Sequence, residues 1–452
     1  MILSAPKADE GSPFQPKQQN IESRFGAGQT PSYPFLVLEL DSSLVFDPSC
    51  DYDFFSSLPT MPAVCLIEPK ASSAQPLFIR TRDLRRRLQR LLGAPDPSSK
   101  RLNLRELTKS VRYRVTASAF GQTLAYYQTA KELFPARYRA MLRMRPPAVL
   151  KVNLRNAYPR CYPTRRISID SGGNPSGGVY YGPFPSRKAA VAFAERFLDL
   201  FKVRRCQIKI RRDPSFPGCI YSEMKMCLAP CFAGCTKQEY DVEVQRLVTF
   251  LETGGRSLRE NLEVERNRAS EELDYEKASS LHKKLDKLDD ALRGQPELPR
   301  RLQDLNAVIL QRGAAEQSIC VYEVRAGKIV EPFELCFSTL AGDPRSAEQL
   351  LRSGLEATIS DPPAAVSPAA APVVPSGASS PSAGSSGPDL SEHLWLLARW
   401  FYSSPRQGEI FFRGNAWPYR RMMRACARLL LPSQDQQDRK VPPTSGERGE
   451  TP

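Results

Sequence analysis

Four of the chain's eleven cysteines, Cys206, Cys219, Cys227 and Cys231, stand in a C-x12-C-x7-C-x3-C series, and a fifth, Cys235, follows within the same thirty residues. Thiolates grouped this closely suit a soft metal centre. Zinc ribbons present two close cysteine pairs, which this spacing lacks. A four-thiolate iron–sulfur cluster accepts irregular spacings carried on a loop. Spacing alone leaves both metals open, and a set of ordinary free cysteines as well. Disulfides are not expected. The N-terminus has no positive segment followed by an apolar core, so no signal peptide is read, and cytoplasmic thiols stay reduced. The two histidines, His282 and His393, lie too far apart in sequence to suggest a histidine-rich metal site or a catalytic triad.

The second chemistry is cationic. Arg80, Arg82, Arg85, Arg86, Arg87 and Arg90 stand on or just before one helical stretch against a single Asp83. Like charges three and four residues apart repel in water, by a few tenths of a kcal/mol, and become favourable against phosphates. A second zone holds Arg155, Arg160, Arg165 and Arg166 with Tyr158 and Tyr162 between them. Basic and aromatic residues together suit single-stranded or distorted nucleic acid. The chain carries 64 Lys+Arg against 49 Asp+Glu, a net charge of +15, which favours a polyanionic partner. A solvated basic surface is the plainer reading of each zone taken singly.

The elements that must position these groups follow from periodicity. The 452 residues allow about two to four domains, and 41% apolar residues are enough to build cores. Residues 1–33 read as a disordered arm. In residues 34–147, PFLVLELDSSLVFDPS, PAVCLIEP, PLFIR and SVRYRVTAS read as strands, and DLRRRLQRLL and TLAYYQTAKELF as helices. Residues 148–235 add strands (AVLKVNL, RRISID), a glycine-rich turn, a helix (SRKAAVAFAERFLDLF) and the cysteine series. Residues 236–293 read as an antiparallel helical hairpin: a capping box Thr236…Glu239, a turn at Thr253–Arg256, then one long charged helix to Arg293. Strands return in 294–360, residues 361–388 are low-complexity linker, 389–432 form a helix–strand–helix piece, and 433–452 are a polar tail. The fold class is multi-domain α+β. No apolar run reaches about 18 residues, so no membrane span is expected and the location read is cytoplasmic.

Arg165-Arg166, Tyr180-Tyr181-Gly182-Pro183-Phe184 and the series ending Cys-Leu-Ala-Pro-Cys resemble the middle of the UvrC family, the incising subunits of bacterial nucleotide excision repair. Leu273, Tyr275, Glu276, Ala278 and Leu285 resemble the family's UVR hairpin, through which it binds UvrB. The resemblance covers residues 150–293 and implies a 4Fe-4S cluster on Cys206, Cys219, Cys227 and Cys231, with zinc as the alternative. Its partners would be DNA and a UvrB-like protein.

The family places a small GIY-YIG nuclease domain before this region. The matching stretch here is altered: Cys65 and Phe78 stand where the family has tyrosines, and Tyr127 aligns with its metal-binding glutamate. Arg87 matches the catalytic arginine. Phosphodiester hydrolysis needs a base, a divalent metal and a cation for the developing charge. Phe78 has no proton to exchange, and without the glutamate a magnesium or manganese ion loses its protein ligand. Arg87 is then vestigial and the domain inactive; a rival alignment gives the acid role to Glu132. The family's C-terminal nuclease resembles RNase H. Residues 303–340 resemble its opening strands only, with Asp304 and Glu323 in no recognisable catalytic pattern and Asp304 reading as a turn or cap residue. Trp395 and Trp400 read as core.

Three functions are compatible with these residues. The first is a repair adaptor that binds DNA and UvrB without cutting. The second is an active, structure-selective GIY-YIG endonuclease with diverged catalysis. The third is an iron–sulfur nucleic-acid binder outside excision repair, sensing metal or redox state.

Overall fold

Four antiparallel strands open the fold: β1 (Ser42–Val45), β2 (Ala63–Pro69), β3 (Leu77–Thr81) and β4 (Thr108–Val115), in the order β1-β4-β2-β3. The computed structural model describes residues 40, 42–95, 98, 101–170, 174–338, 346–357 and 390–431. The expected arm 1–33, linker 361–388 and tail 433–452 lie outside these residues, as does most of the strand expected before Ser42. That stretch yields only β1, followed by a helix, α1 (Asp51–Ser57).

Alternation along β2 assigns its two faces. Ala63, Cys65 and Ile67 face a core shared with α2 (Leu84–Leu92), whereas Val64 and Leu66 face α3 (Ala119–Leu133) together with Phe78 of β3. α2 begins where Asp83 accepts the Arg86 N–H at 2.9 Å, and it seats Leu84, Leu88, Leu91 and Leu92 on the sheet. α3 is capped by Ser118, which accepts the Gly121 N–H at 3.0 Å, and a short α4 (Tyr138–Leu142) follows.

The middle sheet is β5 (Ala148–Val152), β6 (Cys161–Thr164) and β7 (Val179–Phe184), covered by α5 (Arg187–Leu198). RRISID is not its second strand. That strand is Cys161–Thr164, and past it the backbone turns away to bond the Tyr180 side chain, whose hydroxyl accepts the Ser168 N–H at 3.0 Å. A short α6 (Ile220–Glu223) sits in the cysteine loop.

Three helices follow where two were expected: α7 (Lys237–Thr253), α8 (Arg256–Glu271) and α9 (Tyr275–Leu292). The long charged helix breaks because Leu273 adopts a left-handed conformation, φ 60°. Asp274 then caps α9 by accepting the Lys277 N–H at 3.0 Å. β8 (Arg300–Arg301) returns to the edge of β7.

The last sheet contains β9 (Ala307–Arg312), β10 (Ser318–Arg325), β11 (Lys328–Ile329) and β12 (Phe333–Cys336), flanked by α10 (Ala347–Ala357). α11 (Leu390–Phe401), β13 (Glu409–Phe412) and α12 (Tyr419–Leu430) complete it, with β13 antiparallel to β9. The segments read as separate domains share cores. One buried cluster joins Leu66 and Phe78 of the first sheet, Val149 and Tyr180 of the second, Ile309 and Val324 of the third, and Leu394 and Trp400 of α11.

Candidate nucleic-acid interface and cysteine loop

The four positions aligned with a nuclease site do not converge. Cys65 pairs in register with Ile79, and Leu66 with Phe78, so Cys65 and Phe78 lie on opposite faces of the first sheet. Cys65 is fully buried against α2, and burial pushes its thiol up to about 12. A neutral thiol at that depth is no base. Phe78 stacks on Tyr126, ring centroids 4.5 Å apart. Arg87 points to solvent from α2, on the Cys65 side. Glu132 is exposed near the end of α3.

Tyr127 is buried on the Phe78 side and meets an acid from far along the chain. Its hydroxyl donates to Glu392 of α11 at 2.6 Å; the Tyr138 hydroxyl (2.6 Å), Arg139 Nε (2.7 Å) and Lys131 Nζ (3.2 Å) donate to the same carboxylate. Burial raises the Glu392 carboxyl, but these hydrogen bonds and the Lys131 charge outweigh it and bring it down to about 2. The next residue, His393, accepts the Ile329 N–H at Nδ1, 2.9 Å. Sequence reasoning missed this network. Its one signal was an acid on the apolar stripe of α11, in line with the buried Leu396 and Trp400.

The basic residues divide by what they touch. Arg85 is committed within the fold: it donates to the carbonyls of Leu58 (2.7 Å) and Ser56 (2.9 Å). Arg82 and Arg86 are exposed, and Arg80 reaches from β3 toward α3, with Thr123 Oγ1 at 3.5 Å. In the second zone Arg155, Arg165 and Arg166 are exposed at the middle sheet. Arg160 lies 4.2 Å over the Tyr162 ring, a cation–π contact that leaves charge and an aromatic face together. Tyr158 is buried, edge-on to Tyr240, so it belongs to the core.

The cysteine loop is held by a buried cation. Arg204 donates to the carbonyls of Tyr158 (2.8 Å), Cys206 (3.1 Å) and Ile208 (3.0 Å), and its Nη1 lies 3.8 Å from Cys206 Sγ. Burial pushes the Cys227 thiol up to about 11, and Cys206, Cys219 and Cys231 push it the same way. The four thiols do not meet at a point: among the described residues no three His, Cys, Asp or Glu side chains are grouped closely enough to hold a single ion. Cys235 is buried in the core with Tyr240 and Val244.

At the tip of the α8–α9 hairpin Leu273 and Tyr275 are each 67% exposed, and Val264 on α8 is equally so. Glu276 is exposed, Ala278 is half-buried, and Leu285 is buried between the helices. The two acids singled out near the last sheet differ. Glu323 accepts from Arg325 at 2.7 and 2.9 Å, and Asp304 is exposed, 3.9 Å from Arg301. No helix among the described residues is long and apolar enough to cross a membrane.

Residues 148–250 match the family model for the UvrC/Cho excinuclease, middle domain. The chain is similar to the UvrABC system protein C of Chlamydia caviae, 28% identical over 293 residues, 63% of this chain and 47% of that protein. It is similar to the protein of that name from Trichlorobacter lovleyi, 27% identical over 279 residues, 61% of this chain and 44% of the relative. For that of Ruminiclostridium cellulolyticum the figures are 29% over 182 residues, 40% of this chain and 29% of the relative. The chain thus spans less than half the length of these relatives. No solved structure matches it.

Proposed function

We infer, from the premise that this chain belongs to the UvrC family, that it is a nucleotide excision repair protein of the cytoplasm that binds DNA and a UvrB-like partner without cutting. One observation carries the second half of this reading. The position aligned with the metal-binding acid is Tyr127, locked to Glu392 in the core, while Cys65 and Phe78 lie on opposite sides of a sheet. Glu392 does not stand in for the missing acid. Two tyrosines, an arginine and a lysine occupy its oxygens, leaving it no free side for a magnesium or manganese ion.

The exposed arginines of both zones would engage the phosphate backbone, and the hairpin tip at Leu273 and Tyr275, with Glu276 beside it, would engage the partner. The cysteine loop would hold a 4Fe-4S cluster on Cys206, Cys219, Cys227 and Cys231. The family resemblance favours the iron–sulfur cluster over zinc, which the cysteine spacing alone leaves open. Its task would be structural, because ligation adds folding free energy to a loop with little core of its own. Cys235, outside the family series and buried in the core, would be a spare thiol.

The test is an incision assay. A lesion-bearing duplex is loaded with UvrA and UvrB, and the protein is added with magnesium or manganese. The expected result is a shifted UvrB–DNA complex and no nicks. Nicks that disappear in Arg87→Ala would mean the N-terminal site works.

A further inference from the structure

The cleft between α3 and α11 has no acid in its wall. Arg80 enters it from β3, Arg82 from the turn after β3 and Arg399 from the last turn of α11; Gln122, Thr123 and Ser403 add polar lining. None of these three arginines forms an ion pair among the described residues. Arg399 lies over the Trp395 ring at 5.4 Å and Arg80 over Tyr126 at 5.8 Å, contacts that orient a guanidinium without neutralising it. Burial lowers the Arg399 pKa, and the Arg80 charge lowers it further. Converging cations with no counter-charge cost stability unless an anion completes them.

We propose that this cleft holds a backbone phosphate of single-stranded nucleic acid, gripped between Arg80 of β3, Arg82 of the turn after it and Arg399 of α11. The proposal rests on the DNA-binding reading above and deepens it. Guanidinium forks match phosphate oxygens in pairs. The cleft volume, about 460 Å³, lies within the roughly 300–1,000 Å³ of small-ligand sites. A flexible single strand can turn a phosphate into such a cleft more readily than a stiff duplex can. Arg399 stands beyond the linker, outside both basic zones legible in the sequence.

The experiment measures binding of the full chain to a labelled oligothymidylate, to a duplex of matching length and to inorganic phosphate as competitor, across a salt series. Arg399→Gln and Arg82→Gln are each expected to weaken single-strand binding about five- to tenfold and to flatten the log–log salt slope by about 0.7. Duplex binding by Arg399→Gln should change by less than about twofold, and phosphate should compete for the single strand. The melting temperature of free Arg399→Gln should not fall, since a repulsion is relieved, and Arg399→Lys should recover part of the affinity. Unchanged single-strand affinity in Arg399→Gln, with a loss in Arg165→Gln/Arg166→Gln, would overturn the cleft and leave the DNA-binding reading standing. Wild-type protein binding no nucleic acid would remove both. Weakened binding with a lower melting temperature and no rescue by lysine would make Arg399 structural and overturn the proposal.

Discussion

The Tyr127 hydroxyl donates a 2.6 Å hydrogen bond to Glu392, 265 residues further along the chain. This bond ties the helix that would carry a nuclease's acid to the first helix beyond the linker. The carboxylate is buried yet ionised, because four donors surround it. Its folded value of about 2 is depressed from the ordinary 4.5. Its stabilisation is therefore complete above the ordinary value and is lost as pH falls from about 5 toward 2, on the order of 3 kcal/mol in all. Glu392→Gln should lower the neutral-pH stability by about that amount and flatten the acid limb of the stability–pH curve. A chemical-denaturation series between neutral and acid pH checks both.

Putting the family's acid back should not restore cutting. Tyr127→Glu would bury a second carboxylate against Glu392, and two carboxylates in one site cannot both ionise cheaply. One of them would take a raised pKa, so the variant should be destabilised by about 2–4 kcal/mol at neutral pH and recover part of that as pH falls. Melting curves at two pH values test the sign. Magnesium-dependent nicking by Tyr127→Glu would show that the acid alone was missing.

Much of this site was legible and some was not, for identifiable reasons. The β2–β3 pair and α2 followed from alternation, from the leucines at 84, 88, 91 and 92 and from the Asp83 cap. The break at Leu273 was hidden because leucine is a strong helix former; the left-handed turn there comes from the Asp274 cap and the packing of α8 on α9, not from local propensity. The opposite facing of Cys65 and Phe78 needed the strand register, which the pattern does not state. Glu392 and Arg399 were invisible as site residues because they reach α3 only through a fold that closes across the linker.

Within the first basic zone, Arg85 and Arg86 should separate. Arg85 bonds two backbone carbonyls, so Arg85→Gln should cost about 1–3 kcal/mol of stability and leave the salt dependence of duplex binding nearly unchanged. Arg86 is exposed, so Arg86→Gln should leave melting alone and, if it meets a phosphate, flatten the duplex salt slope by about 0.9. Equal slopes for wild type and Arg86→Gln would take Arg86 out of the DNA-binding surface.

The cysteine loop gives a prediction with an elemental readout. Cys219→Ala should lose iron and acid-labile sulfide together and lower the melting temperature, whereas Cys235→Ala should keep full metal content. Arg204→Leu should behave as a partial Cys219→Ala. The loop carbonyls that the guanidinium gathers would lose their donor, at about 1–3 kcal/mol for each one left buried and unmet. Zinc at one equivalent with no sulfide would replace the cuboid by a single ion. A Cys219→Ala protein with unchanged metal and melting temperature would remove the cluster altogether.

The hairpin tip separates recognition from folding. Leu273 and Tyr275 are exposed and bury little within the chain, so Leu273→Asp and Tyr275→Ala should melt like the wild type. Leu285 is 5% exposed, and Leu285→Ala should cost about 2–5 kcal/mol by leaving a cavity between α8 and α9. If the tip is the partner surface, Leu273→Asp and Tyr275→Ala each weaken UvrB capture at least tenfold, about 1.4 kcal/mol. The full chain is the right reagent, because α7 packs into the core of the middle sheet and a peptide of residues 236–293 would lose that support. Undiminished UvrB capture by both tip variants would move the contact elsewhere on the protein.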